Sequence, residues 1–258
     1  MRRLEARDLS VRRGGKRLLR GVSFSLNAGD WLAVVGPNGA GKSTLMKALA
    51  GEWAYTGALA LDDRPLGALK PRERARLLGL MDQGGFSQFS FTVEEVVRMG
   101  RYPYRQGFLH GGDPDEEQAV EQALEDTGMA AMRHRSVLTL SGGEQQRCAL
   151  AQALCHQPEV LMLDEPANHL DLSYQKELYA ITDRWRQRPG RAVITVLHDL
   201  SAARRFATHA LVLREGAPLA FAAAKEALSD SNLRAAWDMD VAEWMREMGK
   251  SWDEEELG

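Results

Sequence analysis

Residues 36 to 44 read GPNGAGKST, which satisfies the spacing G-x-x-x-x-G-K-[ST] and sits between an apolar run, WLAVVG, and a helical stretch starting near Lys42. Strand, glycine loop and helix start together form a phosphate cradle: glycines let backbone N–H groups wrap an anion, and the helix dipole favours negative charge there. In this cradle Gly36, Pro37, Asn38, Gly39, Ala40 and Gly41 supply the wrapping backbone. Lys42 adds a point charge for the β and γ positions, Ser43 a hydroxyl for Mg2+, and Thr44 a hydroxyl for the α-phosphate.

A second chemical cluster ends the run VLMLDEP, where Asp164 and Glu165 follow four apolar residues as expected solvent-facing acids at a strand end. Asp164 suits Mg2+ held through water, and Glu165 suits polarising an attacking water, a general-base role worth typically ~10²–10⁴-fold in rate. His198 closes the apolar run VITVL and is expected to hydrogen-bond a γ-phosphate, while its neighbour Asp199 reads as the cap of a helix over LSAARRF. The stretch LSGGEQQR supports two readings. Ser141 and Glu144 have the spacing of a capping box, and Gly142 and Gly143 at the same helix start leave N–H groups open to an anion.

These residues need a scaffold that brings distant strand ends together. Up to about residue 30, LEARDLSV and LLRGVSFSL alternate between glycines and read as antiparallel strands. WLAVVG, EVLMLDEP and RAVITVLHD read as buried strands of a mostly parallel sheet, whose carboxyl ends face the ligand crevice. Between them, about 92–157 has helical periodicity with a Gly/Pro-rich interruption at 103–114, an α-helical subdomain inserted into the sheet. The tail from 236 to 258 repeats Trp237, Val241, Trp244, Met245, Met248 and Trp252 at helical spacing before DEEELG, and reads as a helix packed on its own core, with a dimer or partner contact as the alternative.

The 258 residues bury a substantial core, and 44% hydrophobic with 27% charged residues is ordinary for a globular protein. A net charge of −3 gives no reason to expect nucleic acid as the main ligand. The charged start and the lack of a long apolar run exclude a secretory signal and a membrane span, so the expected location is cytoplasmic. Cys148 and Cys155 are spaced two helical turns apart, too far for a disulfide, and read as packing residues.

In order and spacing, GPNGAGKST, Gln83, LSGGEQQR, VLMLDEP, ANHLD and His198 resemble the ATP-binding-cassette (ABC) ATPases, over residues 2 to 235. The resemblance implies a RecA-like α/β phosphate-loop core with an N-terminal antiparallel β subdomain and an inserted helical subdomain, spanning 1–235. It implies ATP and Mg2+ as cofactors and a head-to-tail pair of chains. In that pair Ser141, Gly142 and Gly143 would contact the γ-phosphate held by the other copy, and Asp171 would cross the interface. Gln83 would touch Mg2+ and report to a membrane partner. Three departures from the family pattern stand out: Arg12 and Arg13 stand where an aromatic residue stacks on adenine, Asp82 precedes Gln83, and Ala167 replaces a threonine. Arg13, whose guanidinium plane can stack on a base, is the adenine candidate.

The stretches FTVEEVVRMGRYPY, EPANHLDLSYQ and VITVLHDLSAARRF are similar to those of ferric-siderophore importer ATPases. The resemblance implies polytopic membrane permease subunits as partners, a periplasmic or lipid-anchored substrate-binding protein indirectly, and a place on the cytoplasmic face of the inner membrane. Haem and cobalamin importers are the alternative. Phe86, Phe89 and Phe91 would suit permease docking or packing under the helical subdomain. An ABC protein acting on nucleic acid or ribosomes usually carries two cassettes or long coiled coils, neither of which is present, and Glu165 argues against a module that binds without hydrolysing.

Overall fold

A computed structural model describes residues 2–81, 90–105, 113–168 and 170–250. Its strands are β1 (Arg2–Arg13), β2 (Lys16–Asn27), β3 (Trp31–Val35), β4 (Thr56–Leu61), β5 (Arg64–Pro65), β6 (Leu78–Met81), β7 (Val160–Asp164), β8 (Ala192–Val196), β9 (His209–Arg214) and β10 (Ala217–Ala223). The helices are α1 (Lys42–Ala50), α2 (Pro71–Leu77), α3 (Val93–Met99), α4 (Glu116–Asp126), α5 (Gly142–Cys155), α6 (Leu172–Arg186), α7 (Leu200–Phe206), α8 (Ala224–Ala227), α9 (Asp230–Trp237) and α10 (Val241–Lys250).

WLAVV, VLMLD and AVITV are buried throughout because β3, β7 and β8 are central strands covered on both faces. They lie in a six-stranded sheet ordered β10-β9-β3-β8-β7-β6, parallel except for the β9–β10 hairpin. The expected mostly parallel sheet is present. The two-residue side-chain period of a strand splits its buried residues between two cores. Trp31, Ala33 and Val35 join Leu161, Leu163 and Val193 on the face covered by α5, α6 and the helical region. Leu32 and Val34 join Met162, Ile194 and Leu211 against α1 and the second sheet. That sheet, β2-β1-β4-β5, is antiparallel, as the alternation in the first 30 residues predicts.

The helical region starts at α3 with a capping box between Thr92 and Glu95 and ends with α5. Cys148 and Cys155 are buried free thiols in α5, and burial pushes both up to about 12. The tail departs from one continuous helix. Trp237 ends α9, Asp238 turns the chain with φ +57°, and α10 starts afresh at Val241. Trp237, Val241 and Met245 pack on the core, whereas Trp244 and Met248 are each 53% exposed, so the stripe is only partly covered. Trp252 and the acidic end lie outside the described residues.

Candidate functional site

The strand order sets β3, β8 and β7 side by side, and their register pairs Val34 with Val196 and Val196 with Asp164. The glycine loop after β3, His198 after β8 and Glu165 after β7 therefore leave the sheet at one level, at its carboxyl edge. A cavity of about 450 Å³ opens there, lined by Asn38 through Thr44, by Arg17 and Leu18 of β2, and by Glu165, Glu215 and Gly216.

The loop requires glycine at Gly36 and Gly41. A Cβ on Gly36 would stand 2.2 Å from the Leu213 carbonyl oxygen, and Gly41 has φ +102° with a Cβ 2.8 Å from Leu19. Gly41 is also the N-cap of α1, so the first amides of that helix have no intrahelical acceptor and open towards the cavity. Lys42 is 6% exposed and donates to the carbonyls of Gly36 at 2.8 Å and Pro37 at 3.1 Å. Burial holds its amine below the usual lysine range, against the opposing pull of Glu165 and Asp164.

The two acids after β7 differ in setting. Asp164 is not solvent-facing as the sequence suggests: it is 8% exposed, because β7 keeps its pairing with β8 through that residue. Glu165 turns the chain with φ +52°, a conformation a bulky side chain adopts only at a cost and one that clusters at functional sites. Its carboxylate accepts a bond from Asn168 Nδ2 and lies 2.6 Å from His198 Nε2. Protonated at Nε2, His198 donates to Glu165. A smaller cavity is lined by Glu165, Asn168, Gln175, Tyr179 and His198 among others. Asp199 caps α7, accepting from Ser201 N at 2.8 Å and Ala202 N at 3.1 Å, as expected.

Among the described residues no group of three or more His, Cys, Asp or Glu side chains could cage a metal ion. The donors present, the Ser43 hydroxyl and the buried Asp164 carboxylate, instead fit a hard cation that completes its shell with phosphate oxygens and water, the habit of Mg2+.

The Ser141–Glu144 capping box is present: Ser141 N donates to Glu144 Oε2 at 2.7 Å and Glu144 N donates to Ser141 Oγ at 3.3 Å. The bond from the Ser141 amide holds the Glu144 carboxyl below its ordinary range. Ser141 and Gly142 are exposed, and neither they nor Gly143 lines the cavity around Lys42. Asp171 caps α6, accepting from Tyr174 N at 3.1 Å and Ser173 Oγ at 2.8 Å, which lowers its carboxyl. Arg13 is placed with its guanidinium 4.4 Å over the Trp53 ring and outside the cavity lining, which Arg17 joins instead. Phe91 packs against the core of the helical region. Gln83, Asp82, Phe86 and Phe89 lie outside the described residues.

Sequence reasoning missed Asn168 and Arg17. Asn168 follows Glu165 by three positions, a spacing that a turn folds into contact, so the signal was present in EPAN. Arg17 carries no such mark, since it reaches the loop only because the neighbouring Leu18 and Leu19 of β2 pack against Gly41 and Gly216.

A family model described as ABC transporter matches residues 19–168. This chain belongs to the ABC transporter family. As its ATP-binding domain, the chain binds and hydrolyses ATP. It is 38% identical to the uncharacterised ABC transporter ATP-binding protein YvrA of Bacillus subtilis over 92% of this chain and 54% of that protein, so it spans about half that relative's length. It is also 38% identical to the hemin import ATP-binding protein HmuV of Mesorhizobium japonicum, over 91% of each chain. Among solved structures, an ABC transporter described as metal-chelate type, in an inward-facing conformation, superposes with a TM-score of 0.81 at 26% identity, covering 93% of this chain and 90% of that one. No helix of this ABC domain's described residues is long and apolar enough to cross a membrane.

Proposed function

We propose that this chain is the ATPase subunit of an importer of an iron chelate, acting as a head-to-tail pair beneath a polytopic permease at the cytoplasmic face of the membrane. One observation carries the reading. Glu165, fixed by His198 and Asn168, shares a cavity with Lys42 and the glycine loop, while the second glycine-bearing helix start, at Ser141, lies outside that cavity. The first is a hydrolytic site, and the second is left to serve the phosphate of another copy.

In this site the loop amides and Lys42 hold the phosphates, and Ser43 and Asp164 would hold Mg2+, which offsets phosphate charge when bound. Glu165 orients a water and takes its proton as that water's oxygen bonds to the terminal phosphorus and the bond from that phosphorus to the β–γ bridging oxygen breaks, releasing ADP and phosphate. His198 holds the Glu165 carboxylate in place through Nε2, and with nucleotide bound that same N–H would turn to hydrogen-bond the γ-phosphate. Asp171 and the Ser141–Gly143 amides approach from the other copy.

For the cargo, the relatives named for hemin import support haem, and the stretches similar to siderophore importer ATPases support a ferric siderophore. A periplasmic or lipid-anchored binding protein would deliver either one. The test is ATP hydrolysis by the chain reconstituted with its permease in vesicles, with binding protein loaded in turn with haem and with a ferric siderophore. Stimulation by one loaded form is the expected result. Hydrolysis indifferent to both would remove the iron-chelate assignment.

A further inference from the structure

The ring of Tyr174, in the first turn of α6, lies against the helix start that carries Ser141, Gly142 and Gly143. A Cβ built on Gly143 would stand 2.5 Å from Cγ and Cδ1 of that ring, whereas one on Gly142 would meet nothing within 4 Å. The two glycines therefore serve different needs: Gly143 makes room for an aromatic ring of its own chain, and Gly142 leaves open space. The ring is also covered by Arg147 of α5, whose guanidinium lies 5.5 Å over it and whose Nη1 donates to Glu177 Oε1 at 3.0 Å. The backbone amide of Tyr174 is itself held by Asp171. A single residue thus joins two surface features, the Ser141 helix start and the Asp171 turn. Leu172, beside that turn, is 81% exposed.

We propose that Tyr174 is a positioning residue, setting the Ser141–Gly142 helix start against the Asp171–Leu172 turn so that a second copy meets them as one rigid surface. The inference rests on the head-to-tail pairing proposed above. Tyr174 touches no phosphate; it acts by removing the freedom of α5 to slide on α6. A flat ring pressed on a turn without a Cβ permits a close and unique approach, and misplacing donors by about 1 Å can cost on the order of 10²-fold in rate.

The test uses the Glu165→Gln chain, in which ATP is expected to trap the pair, and measures pairing by sedimentation with ATP and Mg2+. Adding Tyr174→Ala should weaken pairing at least about tenfold, with ATP affinity of the single chain changed less than about twofold; Tyr174→Phe, which keeps the ring, should pair as the parent does. In the chain with native Glu165, Tyr174→Ala should lower kcat and leave KM near its original value. Tyr174→Ala that pairs and turns over normally overturns the inference and leaves the pairing standing. A Glu165→Gln parent that stays single with ATP instead overturns the pairing. If Tyr174→Ala does not fold, Gly143→Ala strains the same contact from the other side. Its pairing defect should be relieved by Tyr174→Leu in the same chain, and no relief overturns the assignment.

Discussion

Two helices of this chain start at a glycine, as N-cap in α1 and as first residue in α5, yet they are built differently. At α1 the N-cap is Gly41 in a left-handed conformation, Lys42 follows it, and Glu165 stands across the cavity. At α5 the N-cap is Ser141 in extended conformation, reciprocally bonded to Glu144, and the first-turn charge is acidic. Both offer orphan N–H groups to an anion. Only the first adds a cation and an acid able to activate water. The difference teaches that a glycine helix start is not itself a phosphate site: the start of α1 has Lys42 and Glu165 around one cavity, whereas the start of α5 lies outside it, as the proposed pairing requires.

The sharpest way to break this comparison is to damage each start in turn. Lys42→Ala removes a charge-assisted contact from a buried site and should lower ATP affinity of the single chain by on the order of 10²-fold or more. Ser141→Arg should leave that affinity within about twofold and lower kcat by on the order of 10³-fold, since it blocks donors used only in the paired state. Equilibrium binding of a fluorescent ATP analogue and steady-state hydrolysis measure the two quantities. If Ser141→Arg weakens binding by the isolated chain, the two starts serve one site and the contrast is wrong.

The two ends of α5 sharpen the contrast from within one helix. Its N-terminus is open, whereas at its C-terminus Arg101, 1% exposed, donates to the Cys155 carbonyl at 3.2 Å and pairs with Asp113 at 2.6 Å. His156 caps this end, and burial, aided by the nearby Arg101 charge, holds its imidazole down at about 4, against a bond involving Ala75 backbone. In the unfolded chain His156 takes up a proton near its usual ~6.5, so as pH falls from ~6.5 towards ~4 the unfolded state gains protons that the fold refuses. Stability should therefore fall on acidification over that window, by about 3 kcal/mol from this residue. His156→Gln should reduce the pH slope of denaturant unfolding there by about one proton. An unchanged slope would mean that the C-terminal anchor is not closed to water.

What could be read from the sequence depended on how local the signal was. The glycine loop between strand and helix, the capping box and the cap at Asp199 are each contained in a few neighbouring residues, and each of these local structures forms where its residues predict. The central strands were legible because full burial writes itself as unbroken apolar runs. β9 and β10 were not: PLAFAA in β10 lacks a clear two-residue period, and its half-buried pattern comes from lying at the sheet edge. The fixing of Glu165 by His198 depends on β7 and β8 being neighbours, which is a matter of strand order. The burial of Asp164 follows from pairing that continues one residue past the apolar run. The placement of Arg13 over Trp53 joins residues far apart in sequence, and nothing near either one announces it.

The smallest expected effect separates the two starts at the level of one methyl group. Gly41→Ala places a Cβ 2.8 Å from Leu19 and 3.0 Å from the Leu18 carbonyl, at φ +102°, so the loop must deform and both melting temperature and ATP affinity should fall. Gly142→Ala meets no atom of its own chain within 4 Å and sits in the first turn of a helix, where alanine is favoured over glycine by roughly 0.5–1 kcal/mol. Its melting temperature should hold or rise slightly. Its turnover should nevertheless drop about tenfold, because the added methyl projects into space that only a second chain's nucleotide would use. A Gly142→Ala chain that is both as stable and as active as the original would show that nothing approaches this helix start closely. The α5 glycines would then be explained by Tyr174 and the fold alone.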